Sequence, residues 1–151
     1  MILEIIKHPN PILQNKSLEI SSDEIHSQRI KKLSEDMCET LLKANGAGLA
    51  APQIGINLRL ILVNYQEKIT IMINPKITKK SWAKINDKEG CLSVLRDGKL
   101  FYDNVIRHKK INLIYTDLDG KKIKMQAENL LARIIQHEID HLDGVLFINR
   151  V

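Results

Sequence analysis

The residues best suited to chemistry stand near the end of the chain, in the run His137-Glu138-Ile139-Asp140-His141. Two histidines four apart on a helix present ring nitrogens to a common point, which suits a tetrahedral metal site, and a glutamate beside the first can reach a metal-bound water. By itself the run has two readings: a metal-dependent hydrolase with Glu138 as proton carrier, or a pair of partly exposed surface histidines. A third ligand would separate them. Only ten residues follow His141, and the single acid among them, Asp143, faces away.

The third ligand must then come from upstream, where Cys91 stands in the stretch EGCLS (89–93). Taken alone, this cysteine reads as a buried structural thiol, and the context of the HEIDH run reverses that reading. A thiolate carried on a loop would complete a Cys-plus-two-His set and leave a fourth position open for water, as a catalytic ion requires. Sulfur softens such a site and admits ferrous iron beside zinc, with both metal and thiolate open to oxidation. Cys38, in contrast, lies beside an apolar helical stripe and reads as a small buried hydrophobe.

Two helices and a set of strands must position these groups. The first helix follows Ser21, which forms a capping-box pattern with Glu24; Ile30, Leu33, Met37 and Leu41 recur at helical spacing until Asn45-Gly46 ends it. The second runs from about Glu128 to Leu142, with Gly144 as its stop. Arg133, Gln136, Asp140 and Asp143 form a polar face, while the opposite stripe starts with Leu130 and Ile134 and continues into His137, Glu138 and His141. Ionisable groups thus occupy positions where the period calls for hydrophobes, and burying them without compensation costs several kcal/mol each.

Between the helices, residues 59–65, 69–77 and 111–127 read as strands, the last with an Asp119-Gly120 hairpin signal, and Asp97-Gly98 marks either a turn or a flexible loop. The expected architecture is α+β: antiparallel sheets packed around a central helix that carries the HEIDH run, plus one N-terminal helix, in a single domain spanning 1–151. Gly46, Gly48 and Ala51 also match the spacing of a dinucleotide-binding turn. Context opposes that function, because a helix ends at Asn45 and Pro52 follows at once, so the segment looks like a loop entering a strand.

Three stretches now stand in order: GAGLAAPQIG (46–55), EGCLS (89–93) and QHEIDHLDG (136–144). Together they resemble the three signature motifs of the peptide deformylase family, and ILEIIKHPNPIL (2–13) is similar to that family's N-terminal strand. The resemblance covers residues 2–150. It implies removal of the N-formyl group from the formylmethionine of newly made polypeptides, with release of formate. By motif position, Cys91, His137 and His141 become the metal ligands and Glu138 the general acid/base, while Gln53 and the backbone N–H of Leu92 become donors to the oxyanion. Gly48 and its neighbour Ala47 would pair with the substrate backbone as an added strand, and Glu89 would belong to the substrate-facing rim. The implied ion is Fe2+ in the cell, with Zn2+, Ni2+ or Co2+ as substitutes.

Leu130 and Ile134, about one turn from the ligands, are candidates for the methionine pocket, with plain core packing as the competing role. A metallopeptidase using the same HEIDH site is the competing function. After EGCLS the sequence departs from the family's proline-containing pattern, and Arg96 and Arg107 in that departure read by default as solvated charges, with contact to the peptide as the alternative. The chain has no C-terminal helix beyond Val151 of the kind linked to ribosome docking, so ribosome contact is in doubt.

Composition fits these expectations. The 151 residues are 44% hydrophobic and 27% charged, and a chain of this length buries roughly 70% of its unfolded surface in one core. No apolar run has the ~18 residues of a membrane span, and no cleavage pattern follows the start, so a soluble cytoplasmic protein is expected. The net charge of +5 is distributed along the chain instead of clustering with aromatics, which reads as a solvated basic surface with no direct nucleic-acid site.

Overall fold

In the residues Leu60-Ile-Leu-Val63 apolar side chains follow one another without alternation, the pattern of a strand covered on both faces. The computed structural model, which describes all residues 1–151, shows why. These residues belong to β2 (Leu60–Tyr65), flanked in a five-stranded antiparallel sheet by β1 (Gly48–Ala50) and β3 (Lys68–Lys80); beyond β3 lie β8 (Lys110–Thr116) and β9 (Lys122–Glu128). Leu60 and Leu62 meet Ile30, Met37 and Leu41 of α2 (Gln28–Ala44), and Ile61 and Val63 meet Ala132, Ile135, Ile139 and Leu142 of α3 (Asn129–Leu142). The sheet therefore separates two apolar cores, one under each helix.

A two-stranded sheet of β4 (Lys84–Glu89) and β7 (Asp103–His108) covers another side of α3, and β5 (Leu95–Arg96) and β6 (Lys99–Leu100) form a small hairpin between them. Asp97-Gly98 is its turn, with φ of 51° and 73°. Left-handed values at both central residues characterise the tight turns that match strand twist. The 111–127 hairpin is β8 and β9, as expected. No helix is long and apolar enough to cross a membrane.

Two expectations change. The N-terminal helix is split: Ser21 caps only the four-residue α1 (Ser22–Ile25), and the longer α2 begins again at Ser27, whose hydroxyl accepts the Ile30 N–H at 3.2 Å. Both serines have the extended backbone of a cap, so the second restarts what the first begins. Residues 2–10 do not form a sheet strand. They pack along the chain without joining a sheet, the Ile6 N–H donating to Gln53 O at 2.7 Å and the His8 N–H to Ser93 O at 2.8 Å, and end in a turn in which the Asn10 N–H donates to Lys7 O at 3.1 Å.

At its other end α2 stops as expected at Asn45, which has φ 56°. Past the end of α3, Gly144 has φ 75°, and a Cβ there would run into the Gln14 carbonyl. The chain can therefore turn away directly after the HEIDH helix only with glycine at this position.

Candidate active site

Every residue of α3 from Ala132 to Leu142 is buried. A helix enclosed on all sides must find partners for each polar group inside it. The expected polar face is consequently not a solvent face. Arg133 donates to Glu89 Oε2 at 2.6 Å and to the Val105 and Ile85 carbonyls, Gln136 bonds both backbone groups of His108, and Asp140 accepts from Arg107 and Arg150. Asp143, past the helix, pairs with Arg59 at 3.0 Å.

Among the buried groups of α3, the atoms without a protein partner are Glu138 Oε2 and His141 Nδ1. Both belong to the HEIDH run. Cys91 Sγ lies 3.3 Å from His141 Nε2, and His137 has its Nδ1 held by Glu89 at 2.8 Å, leaving Nε2 as its free ring nitrogen. Ligating atoms of Cys91, His137 and His141 all lie within 4.8 Å of one another. Two imidazole nitrogens and one sulfur on a tetrahedral zinc, at about 2.0–2.3 Å from the ion, stand about 3.3–3.6 Å apart, so the three donors need move little to share a cation.

The electrostatics favour that charge. Burial drives His141 well below its usual pKa, keeping it neutral as a ligand must be. Burial also pushes His137 down, but the neighbouring Cys91 sulfur and the Glu89 carboxylate prevail and raise it to about 10. The space between Cys91 and His137 thus attracts positive charge, which a divalent cation supplies more fully than a proton does. Burial pushes Glu138 up to about 7, a value suited to both taking and giving a proton near neutrality.

Glu138 is placed by Gly48. Alternation along β1 turns Leu49 toward α2 and leaves Gly48 and Ala50 on the α3 side. A Cβ on Gly48 would stand 2.7 Å from Glu138 Cδ and Cγ, and closer still to Oε1. Ala47, Gly48, Cys91, Leu92, His137 and Glu138 line a cleft of about 350 Å³. β1 is an edge strand, hydrogen-bonded only to β2. Gln53 sits in the 3-10 turn after β1, its Oε1 accepting the Ala50 N–H at 2.9 Å and its Nε2 reaching Ser93 Oγ at 3.0 Å and Cys91 Sγ at 3.6 Å.

Leu130 and Ile134 also border the cleft, Leu130 exposed and Ile134 buried. Glu89 borders it too but does not form an open rim. Its carboxylate is buried and bonded to Arg107, Arg133 and His137, and although burial opposes ionisation, the Arg107 and His137 bonds hold it well below the usual carboxylate range.

Arg107 overturns its expected solvation: it is 4% exposed and bridges Glu89 and Asp140. Burial alternates along β7 and places Arg107 on the inner face with Val105, a placement that appears only once β7 pairs with β4. An Arg107→Met substitution should cost about 3 kcal/mol in urea unfolding. That is the low end for breaking a buried pair, because Arg133 and Arg150 remain beside the two carboxylates.

A family model described as polypeptide deformylase matches residues 2–151. The chain belongs to the polypeptide deformylase family. The peptide deformylase of Dictyoglomus thermophilum is 43% identical over 150 residues, covering 99% of this chain and 93% of that one. Among solved structures, a class I type b peptide deformylase from Acinetobacter baumannii with Met-Ala-Ser bound superposes with a TM-score of 0.94 at 32% identity, covering 100% of this chain and 99% of that chain. The enzyme from Thermotoga maritima does so with a TM-score of 0.93 at 31% identity, covering 100% and 98%. Like its family, the chain is a metal-dependent hydrolase that deformylates N-formylmethionyl peptides.

Proposed function

We propose that this chain carries out deformylation at an ion held by Cys91, His137 and His141, with Glu138 carrying the proton and Gln53 and the Leu92 N–H stabilising the oxyanion. The observation that supports it most is the convergence of three ligand atoms within 4.8 Å beside a buried, unpartnered Glu138 oxygen. When bound, the ion supplies Lewis acidity that lowers the pKa of a water from about 16 toward about 7. Glu138 takes the proton released as water attacks the formyl carbon and returns it to the departing amine. As charge gathers on the formyl oxygen, the Gln53 amide and the Leu92 N–H donate to it, an effect worth about 3–4 kcal/mol per donor.

The unpaired edge of β1 at Gly48, with Ala47 just before it, suits a peptide that lies down as an added strand and brings its first residue to the base of the cleft. Leu130 and Ile134 then offer apolar surface to the methionine side chain. Glu89 acts through His137, fixing the ring so that Nε2 faces Cys91. Fe2+ is the ion we assign in the cell because the family resemblance implies it; one thiolate and two imidazoles suit Zn2+, Ni2+ and Co2+ as well. A cytoplasmic location agrees with two free cysteines, one of them a ligand.

The test is formate release from formyl-Met-Ala-Ser, run without oxygen with iron or zinc added. Formate is expected, with unformylated Met-Ala-Ser left whole. Cleavage of the unformylated peptide bonds would favour a metallopeptidase, and no formate with any metal would refute the assignment.

A further inference from the structure

Far from the cleft, the turn between β3 and β4 carries Trp82, the chain's single tryptophan, and it is 100% exposed. Indoles normally gain by being covered, and they are enriched where a partner will cover them. Looseness does not account for this one. The Ser81 N–H donates to Lys110 O at 2.9 Å and the Lys109 N–H to Ala83 O at 2.9 Å, while the Ser81 hydroxyl donates to Ala83 O at 2.7 Å and accepts the Lys110 N–H at 3.0 Å. Trp82 is held outward by a turn pinned on both sides.

The same bonds gather lysines that are distant in sequence. Lys79, Lys80 and Lys84 flank the turn and Lys109 and Lys110 lie across from it, all exposed; of these only Lys110 has a carboxylate partner, Glu128 at 3.5 Å. From the turn a groove of about 390 Å³ runs behind α3, with Lys76, Lys80 and Lys84 among its walls. Its carboxylates, Asp140 and Asp143, are already engaged by Arg107, Arg150 and Arg59. A second hollow of about 620 Å³ shares the wall formed by Arg59, Pro75 and Lys76 and adds Lys16 and Lys122, against one further carboxylate, Glu19.

We propose that this track binds single-stranded nucleic acid, with a base stacked on Trp82 and the phosphates that follow led along Lys84, Lys80 and Lys76. Stacking on an aromatic ring beside a cationic groove is how sequence-tolerant single-strand binders work. Lys80 to Lys76 spans about 13 Å of strand, enough for a few nucleotides. An anionic bilayer is also a source of phosphate, but a flat surface engages a protruding apolar cluster, whereas here a single indole stands on the turn between Lys80 and Lys84, which both line a concave groove.

The experiment titrates a 12-residue oligouridylate RNA into the whole chain at low salt. Because Trp82 is the only tryptophan, its fluorescence reports this place alone. Saturable quenching is expected, with a log–log salt slope of about −2 from three lysines. Followed by the anisotropy of labelled RNA, Trp82→Ala should weaken binding about tenfold and Trp82→Phe much less. The paired change Lys80→Glu with Lys84→Glu should weaken binding and flatten the slope. Formate release should be unchanged in all these variants, which shows that they fold. The proposal is overturned if RNA neither quenches nor binds, if the variants bind as well as the parent, or if Trp82 responds to phosphatidylserine vesicles and not to RNA.

Discussion

With Glu138 replaced by Gln, formate release is expected to fall by about 10²–10⁴-fold while metal content stays that of the parent chain. Glutamine keeps the shape and the packing against Gly48 but cannot carry a proton near neutrality. The measurement is kcat beside metal analysis of the same sample. Full activity with the ion bound would exclude Glu138 as the proton carrier. Gly48→Ala should reduce the rate by displacing the same carboxylate, because Gly48 is fixed in register opposite Val63 and cannot retreat from a Cβ 2.7 Å from Glu138 Cδ.

Cys91→Ser should act earlier, on the ion itself. A hydroxyl is not ionised near neutrality and is a harder donor than a thiolate, and the surroundings are built for sulfur: the Ser93 N–H and Gln53 Nε2 approach Sγ at 3.4 and 3.6 Å. Loss of an outer partner to a ligand costs about 10–100-fold in metal affinity, so loss of a direct ligand should cost more than about 100-fold. Dialysed Cys91→Ser protein should therefore hold almost no metal and release almost no formate, with part of the activity returning at high free zinc. Unchanged metal content would remove Cys91 from the ligand set.

The parts of this molecule legible in its sequence are those where a local pattern meets a chemical anomaly. Ionisable groups on the apolar stripe of α3 announced His137, Glu138 and His141, and the lack of a ligand downstream pointed back to Cys91. The functions proposed for Gln53, Leu92 and Gly48 came only with the family resemblance, since nothing in their spacing expresses a contact with Cys91 or Glu138.

Long-range register was hidden. Arg107 reads as a surface charge until β7 pairs with β4, which brings it to Glu89 and Asp140. The lysines around Trp82 seemed dispersed for the same reason, because Lys84 meets its neighbours only when Ser81 and Ala83 bond to Lys110 and Lys109. The break after α1 was missed because Ser21 and Ser27 are equally good caps, and only packing shows which one starts the long helix.

The central claim, one ion bound by one sulfur and two imidazoles, is tested most directly by X-ray absorption at the metal edge of the zinc-loaded chain. The spectrum should show one sulfur at about 2.3 Å and two imidazole nitrogens at about 2.0–2.1 Å, with a lighter donor in the remaining position. A first shell of nitrogen and oxygen alone would contradict it.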